Sequence, residues 1–270
     1  MDYKASLIIS VYNNIPFLKA ILDSLSYQTE QSFEVIITED AEHEDMRHFI
    51  ETYPFVNDHQ HLTQPDIGWR KELALNRAVK ASHSDYLIFI DGDCVLHPHF
   101  IEAHLDMRAE NMILAGKRVS LNKQLTSLLI SDSTEVLNMP RYLSKALFKR
   151  DGVRHLEDGF YIPRYNPLRH IIKNTKISHL IGCNMSLYKT AIEQINGFDE
   201  DYTLPAVGED GDIYWRLMAA GYKCRTIRNI AVQYHLNHPK NWHNQDINLN
   251  KMFEKQSRKE YICKNGLNKL

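Results

Sequence analysis

One segment of this chain combines residue types and spacing that suit metal and phosphate chemistry. Asp91 and Asp93 flank Gly92, directly after the apolar run Tyr86–Ile90. Two carboxylates at the end of a buried strand can hold a hard divalent cation and leave positions open for a diphosphate. The alternative is a polar β-turn, because Asp-Gly is a common turn dipeptide. The apolar strand before the triplet favours the metal site.

A second segment concentrates acidic residues where a helix is expected to begin. Glu209, Asp210 and Asp212 lie directly before a helical pattern. Acidic side chains commonly open a helix because they complement its dipole, and one or two would be enough for that. The more specific interpretation is a catalytic carboxylate near the helix N-terminus. From this segment alone, the catalytic role and the helix-start role have equal weight.

A third segment offers imidazole ligands. His235 and His238 follow the strand-like run Ile230–Gln233, and a histidine at a strand end could complete a metal site with the aspartates. The chain has 14 histidines, so this signal alone is weak. His97 and His99, beside the aspartate pair, are interpreted as surface residues at a helix start.

The elements that must position these residues alternate along the first part of the chain. Alternating strands and helices imply a parallel sheet covered on both faces, with ligands bound beyond the carboxyl ends of the strands. The polar residues at those ends are Ser10, Tyr12, Glu39, Asp40, Asp91 and Asp93. The predicted strands are Ala5–Val11, Phe33–Thr38 and Tyr86–Ile90, and the predicted helices are Phe17–Leu25, Glu44–Tyr53 and Trp69–Ala81.

The first strand end lacks the glycines of a phosphate-binding loop. Residues 10–16 contain no glycine, so neither a Walker A loop nor a dinucleotide fingerprint is present. A diphosphate bound here would need a metal ion instead.

The composition limits which binding partners and which cellular compartment are expected for this protein. A formal net charge of -2 argues against a nucleic-acid-binding protein. The four cysteines form no C-x-x-C pair, which disfavours a zinc cluster or a disulfide framework and fits a reducing compartment. No signal-peptide pattern and no apolar run of about 20 residues is present. We therefore expect a cytoplasmic protein, with peripheral association at the inner face of a membrane left open.

Periodicity and charge divide the chain into regions. We expect one domain over residues 1–240, comprising a nucleotide-sugar-binding half (1–116), a variable basic insertion (117–177) and an acceptor or catalytic half (178–240). A basic helical tail (241–270) follows, with one helix at Asn250–Lys264. The basic insertion suits an anionic acceptor, a lipid-diphosphate carrier or a membrane surface. A solvated surface around local helices explains it equally well.

Five motifs together resemble family 2 glycosyltransferases of the GT-A fold, over residues 4–116 and 178–238. The C-terminal half is similar to the galactosyltransferase-like region of chondroitin-polymerase-type and polypeptide GalNAc-transferase-type enzymes, and the segment Gln64–Arg70 with Asn76 resembles their Gly-Phe-Arg…Arg-Asn segment. The motifs, in the order of the family, are Ser6–Asn13, Glu39-Asp40, Asp91-Gly92-Asp93, Gly182–Ser186 with Asn196–Glu200, and Gly208-Glu209-Asp210.

The resemblance implies a GT-A fold: a single Rossmann-like, mostly parallel sheet flanked by helices, with a smaller acceptor-side region. On the donor side it implies that Ser10, Tyr12 and Asp40 contact the nucleoside, with Tyr12 packed on the base and Asp40 accepting from its ring N–H. Arg70 would approach the diphosphate, and Asp91 would face the ribose or the metal.

For catalysis the resemblance implies a metal ligated by Asp93 and His235, with His238 as the alternative ligand. Asp210 matches the catalytic base, and Glu209 would bind the acceptor or orient the loop. The cofactor would be Mn²⁺ or Mg²⁺.

The implied reaction is inverting transfer of a hexosyl or N-acetylhexosaminyl group from a nucleotide-diphosphate donor, preferably a UDP-sugar, to a hydroxyl of a glycan or lipid-linked acceptor in polysaccharide biosynthesis. One alternative is a non-catalytic protein that binds nucleotide sugars or glycans. The other is a sugar-phosphate nucleotidylyltransferase, which would require a glycine-rich loop after the first strand.

Overall fold

A seven-stranded, mostly parallel sheet forms the centre of the described chain, in the strand order β3-β2-β1-β4-β8-β6-β9. The computed structural model describes residues 2–149, 151–163, 165–167, 180–239 and 244–270. The strands of this sheet are β1 (Ala5–Val11), β2 (Phe33–Glu39), β3 (His59–Leu62), β4 (Tyr86–Asp91), β6 (Met112–Ala115), β8 (Met185–Tyr188) and β9 (Lys223–Thr226).

Parallel pairing brings three strand ends to one edge of this sheet. β1 lies between β2 and β4 and is parallel to both, with Ser10 opposite Thr38 on one side and Asp91 on the other. β8 runs antiparallel between β4 and β6, so the sheet is mixed. The polar residues that follow β1, β2 and β4 therefore share the edge at which ligands bind in open α/β sheets.

A second, three-stranded sheet lies beyond the end of β4. It has the order β5-β10-β7 and comprises β5 (Cys94–Leu96), β7 (Val119–Ser120) and β10 (Gln233–His235). β10 is antiparallel to β5, which places His235 opposite Cys94. This pairing brings a histidine from late in the sequence beside the aspartate that precedes β5.

Helices cover both faces of the large sheet because the strand side chains alternate between two apolar clusters. Leu7 and Ile9 pack in one cluster with the first helix, whereas Ile8 packs in the other with the third. The helices are α1 (Ile15–Leu25), α2 (Glu44–Thr52), α3 (Lys71–Ala81), α4 (Phe100–Met107), α5 (Lys123–Ser131), α6 (Met139–Lys149), α7 (Lys189–Gln194), α8 (Ile213–Ala219) and α9 (Asp246–Ser257).

The observed α/β architecture confirms the predicted fold class, and the three predicted strands match β1, β2 and β4. Two local expectations were wrong. The tail helix begins at Asp246 and ends at Ser257, earlier at both ends than predicted. His97 is 8% exposed and stacks on Tyr161, so it is a packed residue and not a surface one.

The end of the tail packs on the segment that follows α7. Leu267 is 6% exposed and belongs to an apolar cluster beneath the sheet. The Asn196 amide donates to the carbonyls of Cys263 and Asn268. Part of the basic insertion and of the tail lies outside the described residues. None of the described helices has the length and apolar character needed to cross a membrane.

Candidate active site

The segment Asp91-Gly92-Asp93 lies at the end of β4, in a turn whose middle position accepts only glycine. The Gly92 N–H donates to the carbonyl of Ser10 at 2.7 Å. A Cβ at Gly92 would lie 2.9 Å from that oxygen and from Cγ1 of Val11. The close approach to β1 therefore requires glycine between Asp91 and Asp93, and it directs the two carboxylates to the sheet edge.

Asp93 and two histidines form a group of possible metal ligands. His235 Nε2 and His238 Nε2 each lie 3.1 Å from Asp93 Oδ2, and the ligand atoms of the three residues lie within 4.8 Å of one another. The Leu236 N–H donates to the carbonyl of Asp93, which ties β10 to the triplet. The sequence left His235 and His238 as alternatives, whereas the structure brings both to Asp93.

The contacts within this group shift the pKa values of Asp93 and His238 in the directions that favour their charged forms. Burial alone would raise the pKa of Asp93, but its contacts with His235 and His238 outweigh burial and hold the pKa well below its usual range. The hydrogen bond to Asp93 raises the pKa of His238. One carboxylate and two imidazoles fit a divalent cation, and two nitrogen ligands favour a transition-metal ion over Mg²⁺.

A second group of possible ligands is already occupied by an arginine. His155, Glu157 and Asp158 also lie close enough together to hold a cation. Arg228 pairs with Asp158 and lies 3.5 Å from Glu157 Oε1. Its guanidinium supplies the positive charge that these carboxylates need, so this group is a weaker candidate than the one at Asp93.

Asp40 lies at the end of β2 and is held by the segment before α3. Its Oδ1 accepts from Gln64 Nε2 at 2.6 Å, and its Oδ2 accepts from the Arg70 N–H at 2.8 Å. Burial raises the pKa of this carboxyl. Within the described chain, Gln64 Oε1 and Trp69 Nε1 are buried without a hydrogen-bond partner. Buried orphan atoms of this kind suit a bound polar ligand.

Tyr12 borders the same region and is 49% exposed. Its hydroxyl donates to Asp66 Oδ2 at 2.9 Å, and its ring packs nearly perpendicular to that of His43 with the centroids 5.2 Å apart. His43 is in turn held by Glu39, whose carboxylate also contacts His61. An exposed aromatic ring that is held by its hydroxyl and by one neighbouring ring can offer a face to a flat ligand.

Lys71 connects the aspartate triplet with the acidic turn. Its Nζ lies 2.7 Å from Asp91 Oδ1 and 3.6 Å from Glu209 Oε1. Burial alone would lower the pKa of Lys71, but Asp91 and Glu209 outweigh burial and raise it. Sequence reasoning missed this residue, although it directly follows the predicted site residue Arg70.

The acidic segment forms a π-helical turn, Gly208–Asp212, that leads into α8. Burial, followed by the charge of Glu209, raises the pKa of Asp210 to about 6. The Gly211 N–H donates to Asp210 Oδ1 and opposes that shift. Asp210 therefore titrates close to neutral pH, as a general base requires.

The third acid of this turn stabilises the fold. Asp212 is fully buried and accepts from the hydroxyl of Tyr202, the indole of Trp215 and Nε of Arg216. Arg216 is also fully buried and donates to the carbonyls of Ile195 and Gly197. Asp212 therefore has a structural role, which leaves Glu209 and Asp210 as the candidate site residues of this turn.

A buried glutamate lies beneath the turn. Glu72 is fully buried, and among the described residues neither of its carboxyl oxygens has a hydrogen-bond partner. A Cβ at Gly208 would lie 2.2 Å from Glu72 Oε1, so the turn passes directly over this carboxyl. Burial and the nearby charge of Glu209 raise the pKa of Glu72 well above its usual range.

The structure brings the predicted residues to one edge of the sheet in three neighbouring sets. Ser10, Asp91 and Glu209 line a common small cleft together with Lys71, and Asp210 follows Glu209. Asp93, His235 and His238 form the second group, which begins two residues after Asp91. Tyr12, Asp40 and Arg70 lie at the neighbouring ends of β1, β2 and the start of α3. Arg70 reaches Asp40 through its backbone, and its guanidinium makes no ion pair with the described residues.

Comparison with known protein families gives two overlapping matches. Residues 6–195 match the model of glycosyl transferase family 2. Residues 163–239 match the model described as the N-terminal domain of galactosyltransferase. The first match covers most of the chain, and the second includes the acidic turn and both histidines.

Curated relatives are similar over much of this chain but are longer proteins. Hyaluronan synthase of Pasteurella multocida is 21% identical over 87% of this chain, which spans 24% of that protein. Validoxylamine A glucosyltransferase of Streptomyces hygroscopicus subsp. jinggangensis is 22% identical over 80% of this chain, which spans 51% of that enzyme.

Solved structures share the fold at low sequence identity. The mannosyltransferase PcManGT from Pyrobaculum calidifontis, in complex with GDP-Man and Mn²⁺, matches 96% of this chain and 65% of its own, with a TM-score of 0.59 and 16% identity. S. aureus TarS 1-349 in complex with UDP-GlcNAc matches 89% of this chain and 60% of its own, with a TM-score of 0.54 and 14% identity. These likenesses confirm the predicted GT-A fold.

Proposed function

The chain belongs to glycosyl transferase family 2, and on that premise we propose that it moves a sugar from a nucleoside diphosphate donor to an acceptor hydroxyl, with a divalent metal ion and with inversion at the anomeric carbon. One observation carries the proposal. Lys71 bridges Asp91, two residues before Asp93, to Glu209, which directly precedes Asp210, and this supports a single site that combines the metal ligands with the base.

The donor's nucleoside is assigned to the ends of β1 and β2. Tyr12 has an exposed face for the base, and each oxygen of Asp40 keeps a lone pair beyond the hydrogen bond that it already accepts. The orphan atoms of Gln64 and Trp69 lie in the segment that holds Asp40. UDP is our preferred nucleotide, because TarS is solved with UDP-GlcNAc and the resemblance of the C-terminal half points the same way.

Asp93, His235 and His238 would hold the metal ion, which would stabilise the negative charge on the departing nucleoside diphosphate. The half-buried Asp93 carboxylate accepts from Cys94 Sγ on its other oxygen, which helps to fix the orientation of the ligand. The mannosyltransferase bound to GDP-Man and Mn²⁺ supports a divalent cation in this fold. Mn²⁺ is the first ion to test.

Asp210 would remove the proton of the acceptor hydroxyl as that oxygen attacks the anomeric carbon. With a pKa of about 6 the carboxyl is ionised at neutral pH and is still basic enough to accept a proton. Glu209, whose Oε2 is buried without a partner among the described residues, would accept a hydroxyl of the acceptor sugar. Attack from the side opposite the leaving group gives inversion.

The test is release of nucleoside diphosphate from a panel of UDP- and GDP-sugars, with Mn²⁺ and with simple sugar acceptors. We expect turnover of one donor that requires the metal. Asp210→Asn should lower turnover by a factor of about 10² to 10⁴ and leave donor binding unchanged. The matched control is Asp45→Asn, an exposed position on α2.

Unchanged turnover of Asp210→Asn would contradict the assignment of the base. Metal-dependent donor binding without turnover of any donor would instead support a protein that binds nucleotide sugars without catalysis.

A further inference from the structure

Lys71 is a buried cation to which the proposed reaction assigns no role. It is the first residue of α3, it is 9% exposed, and its ammonium lies between Asp91 on the donor side and Glu209 on the acceptor side. Burying a lysine is costly unless its charge is paired. The two carboxylates supply that pairing from segments that are far apart in sequence.

The acidic turn on one side of this bridge is conformationally strained. Ala206 and Val207, the two residues before the turn, both have positive φ angles, 69° and 75°. Residues other than glycine adopt such angles only where the surrounding structure holds them. Beneath the turn lies the buried carboxyl of Glu72, whose oxygens make no hydrogen bond with the described residues. The contact of Lys71 with Glu209 therefore ties a strained turn to the rigid end of β4.

We propose that Lys71 is a positioning residue, whose ammonium holds Glu209, and through it Asp210, at a fixed distance from Asp91 and from the donor bound there. The inference rests on the proposed function and adds a residue to its machinery. A base that is displaced by about 1 Å can cost about a hundredfold in rate. The bridge would set the distance between the base on one half of the site and the donor on the other.

The kinetic test compares Lys71→Met, Lys71→Arg and the control Lys80→Met, an exposed lysine in the last turn of the same helix. Lys71→Met should lower kcat by about a hundredfold with little change in the KM of the donor. Lys71→Arg should restore most of the rate, because a guanidinium can still bridge two carboxylates. Lys80→Met should behave as the unmodified chain.

Coupling to Glu209 distinguishes positioning from other effects. If Lys71 acts through Glu209, adding Lys71→Met to Glu209→Gln should lower kcat much less than it does in the unmodified chain. Equal losses in both backgrounds would overturn the proposal. A rise in the KM of the donor that accounts for the whole loss would also overturn it, since that result indicates direct donor contact.

Hydrogen exchange tests the bridge without any activity. In the ligand-free protein, amides of residues 206–212 should exchange about tenfold faster in Lys71→Met and in Glu209→Gln than in Lys80→Met. Unchanged exchange in both variants would overturn the bridge even if the chain proves to be a glycosyltransferase. Faster exchange in a chain without turnover would support the bridge and contradict only the proposed function.

Discussion

The carboxylates of Asp91, Asp93 and Asp210 each have a different partner at the residue scale. Asp93 lies against two imidazoles, Asp91 lies against an ammonium, and Asp210 accepts a hydrogen bond from the backbone N–H of the next residue, Gly211, in a buried turn. These surroundings lower the pKa of Asp93 and raise that of Asp210 to about 6. Carboxylates whose pKa values are pushed apart can divide metal binding from proton transfer.

Asp210→Asn should raise the midpoint of thermal unfolding of the metal-free protein at neutral pH. The raised pKa means that the folded state binds the Asp210 proton more tightly than the unfolded chain, so ionised Asp210 lowers the free energy of unfolding above about pH 6. The amide removes this cost. Calorimetry should show a gain of a few degrees that shrinks as the pH falls through 6 toward about 4, where the carboxyl is protonated in both states.

The same scans include Asp45→Asn in the first turn of α2, which should lower the midpoint slightly, because an acidic side chain there complements the helix dipole. A lower midpoint for Asp210→Asn at neutral pH would show that the ionised carboxylate is held by stabilising contacts, and it would count against a base with a raised pKa.

At this scale the sequence predicted Asp93 and His235 because residue type and strand position are visible in the chain. It could not place His238 beside them, because that contact depends on how β10 pairs with β5. It missed Lys71 for a similar reason. A lysine at a helix start is normally a solvated residue, and only the approach of the acidic turn buries this one.

At the scale of elements, the first turns of α3 connect most parts of the site. Arg70 caps the helix and holds Asp40, Lys71 bridges the two halves, and Glu72 lies beneath the acidic turn. Asn76, one turn further on, exchanges hydrogen bonds with the backbone of Phe198. A change in the packing of α3 should therefore affect donor and acceptor sides together.

The helix α9 holds the loop that precedes the acidic turn. Asn248 is 1% exposed, and its amide donates to the carbonyls of Leu204 and Ala206 at 2.9 and 2.8 Å. The loop includes the strained residue Ala206. These two hydrogen bonds help to hold that residue in its unfavourable conformation and thereby fix the start of the turn.

Asn248→Ala should lower both the stability of the fold and the catalytic rate. The substitution leaves two carbonyls without their donor, at a cost of about 1–3 kcal/mol in the free energy of unfolding, which denaturant titration measures. The rate should fall further than the loss of folded protein explains, because the turn loses support. Asn250→Ala, exposed on the same helix, is the control. Equal rates per folded molecule in the two variants would show that α9 does not position the turn.

The sequence predicted α3 well because apolar periodicity and the following strand define it. The predicted bounds of α9 were wrong, because residues 258–264 mix charged and apolar side chains in a pattern that a helix could continue. In the structure the chain turns at Lys259, which has a positive φ of 58°, and packs back on the region of Asn196. Such tertiary contacts override a weak local preference.

At the scale of the whole molecule, the candidate site lies between a large, mostly parallel sheet and a small second sheet. The ends of β1, β2 and β4 carry the proposed donor residues, whereas β10, the residues after it and the acidic turn carry the histidines and the proposed base. The two groups are far apart in the sequence, and the pairing of β10 with β5, which directly follows Asp93, brings them together.

The fold class was predictable from the alternation of strands and helices. The register of the small sheet was not predictable, since its strands have only two or three residues.

The chain is shorter than the relatives it matches, so further parts of those proteins have no counterpart among its residues. The acceptor and the sugar of this chain therefore have to be measured on the chain itself. The central claim, a metal-dependent donor site at Asp93, is independent of both.

The most direct measurement is the thermal shift produced by UDP, with and without Mn²⁺, in the unmodified chain, in Asp93→Ala and in the exposed control Asp45→Ala. Ligand at about 100 times its Kd stabilises the folded state by about 2.7 kcal/mol, which is a shift of several degrees for a chain of this size. We predict this shift only with both UDP and Mn²⁺ present, and only in the unmodified chain and the control. An equal shift in Asp93→Ala, or one that does not need the metal, would contradict the site.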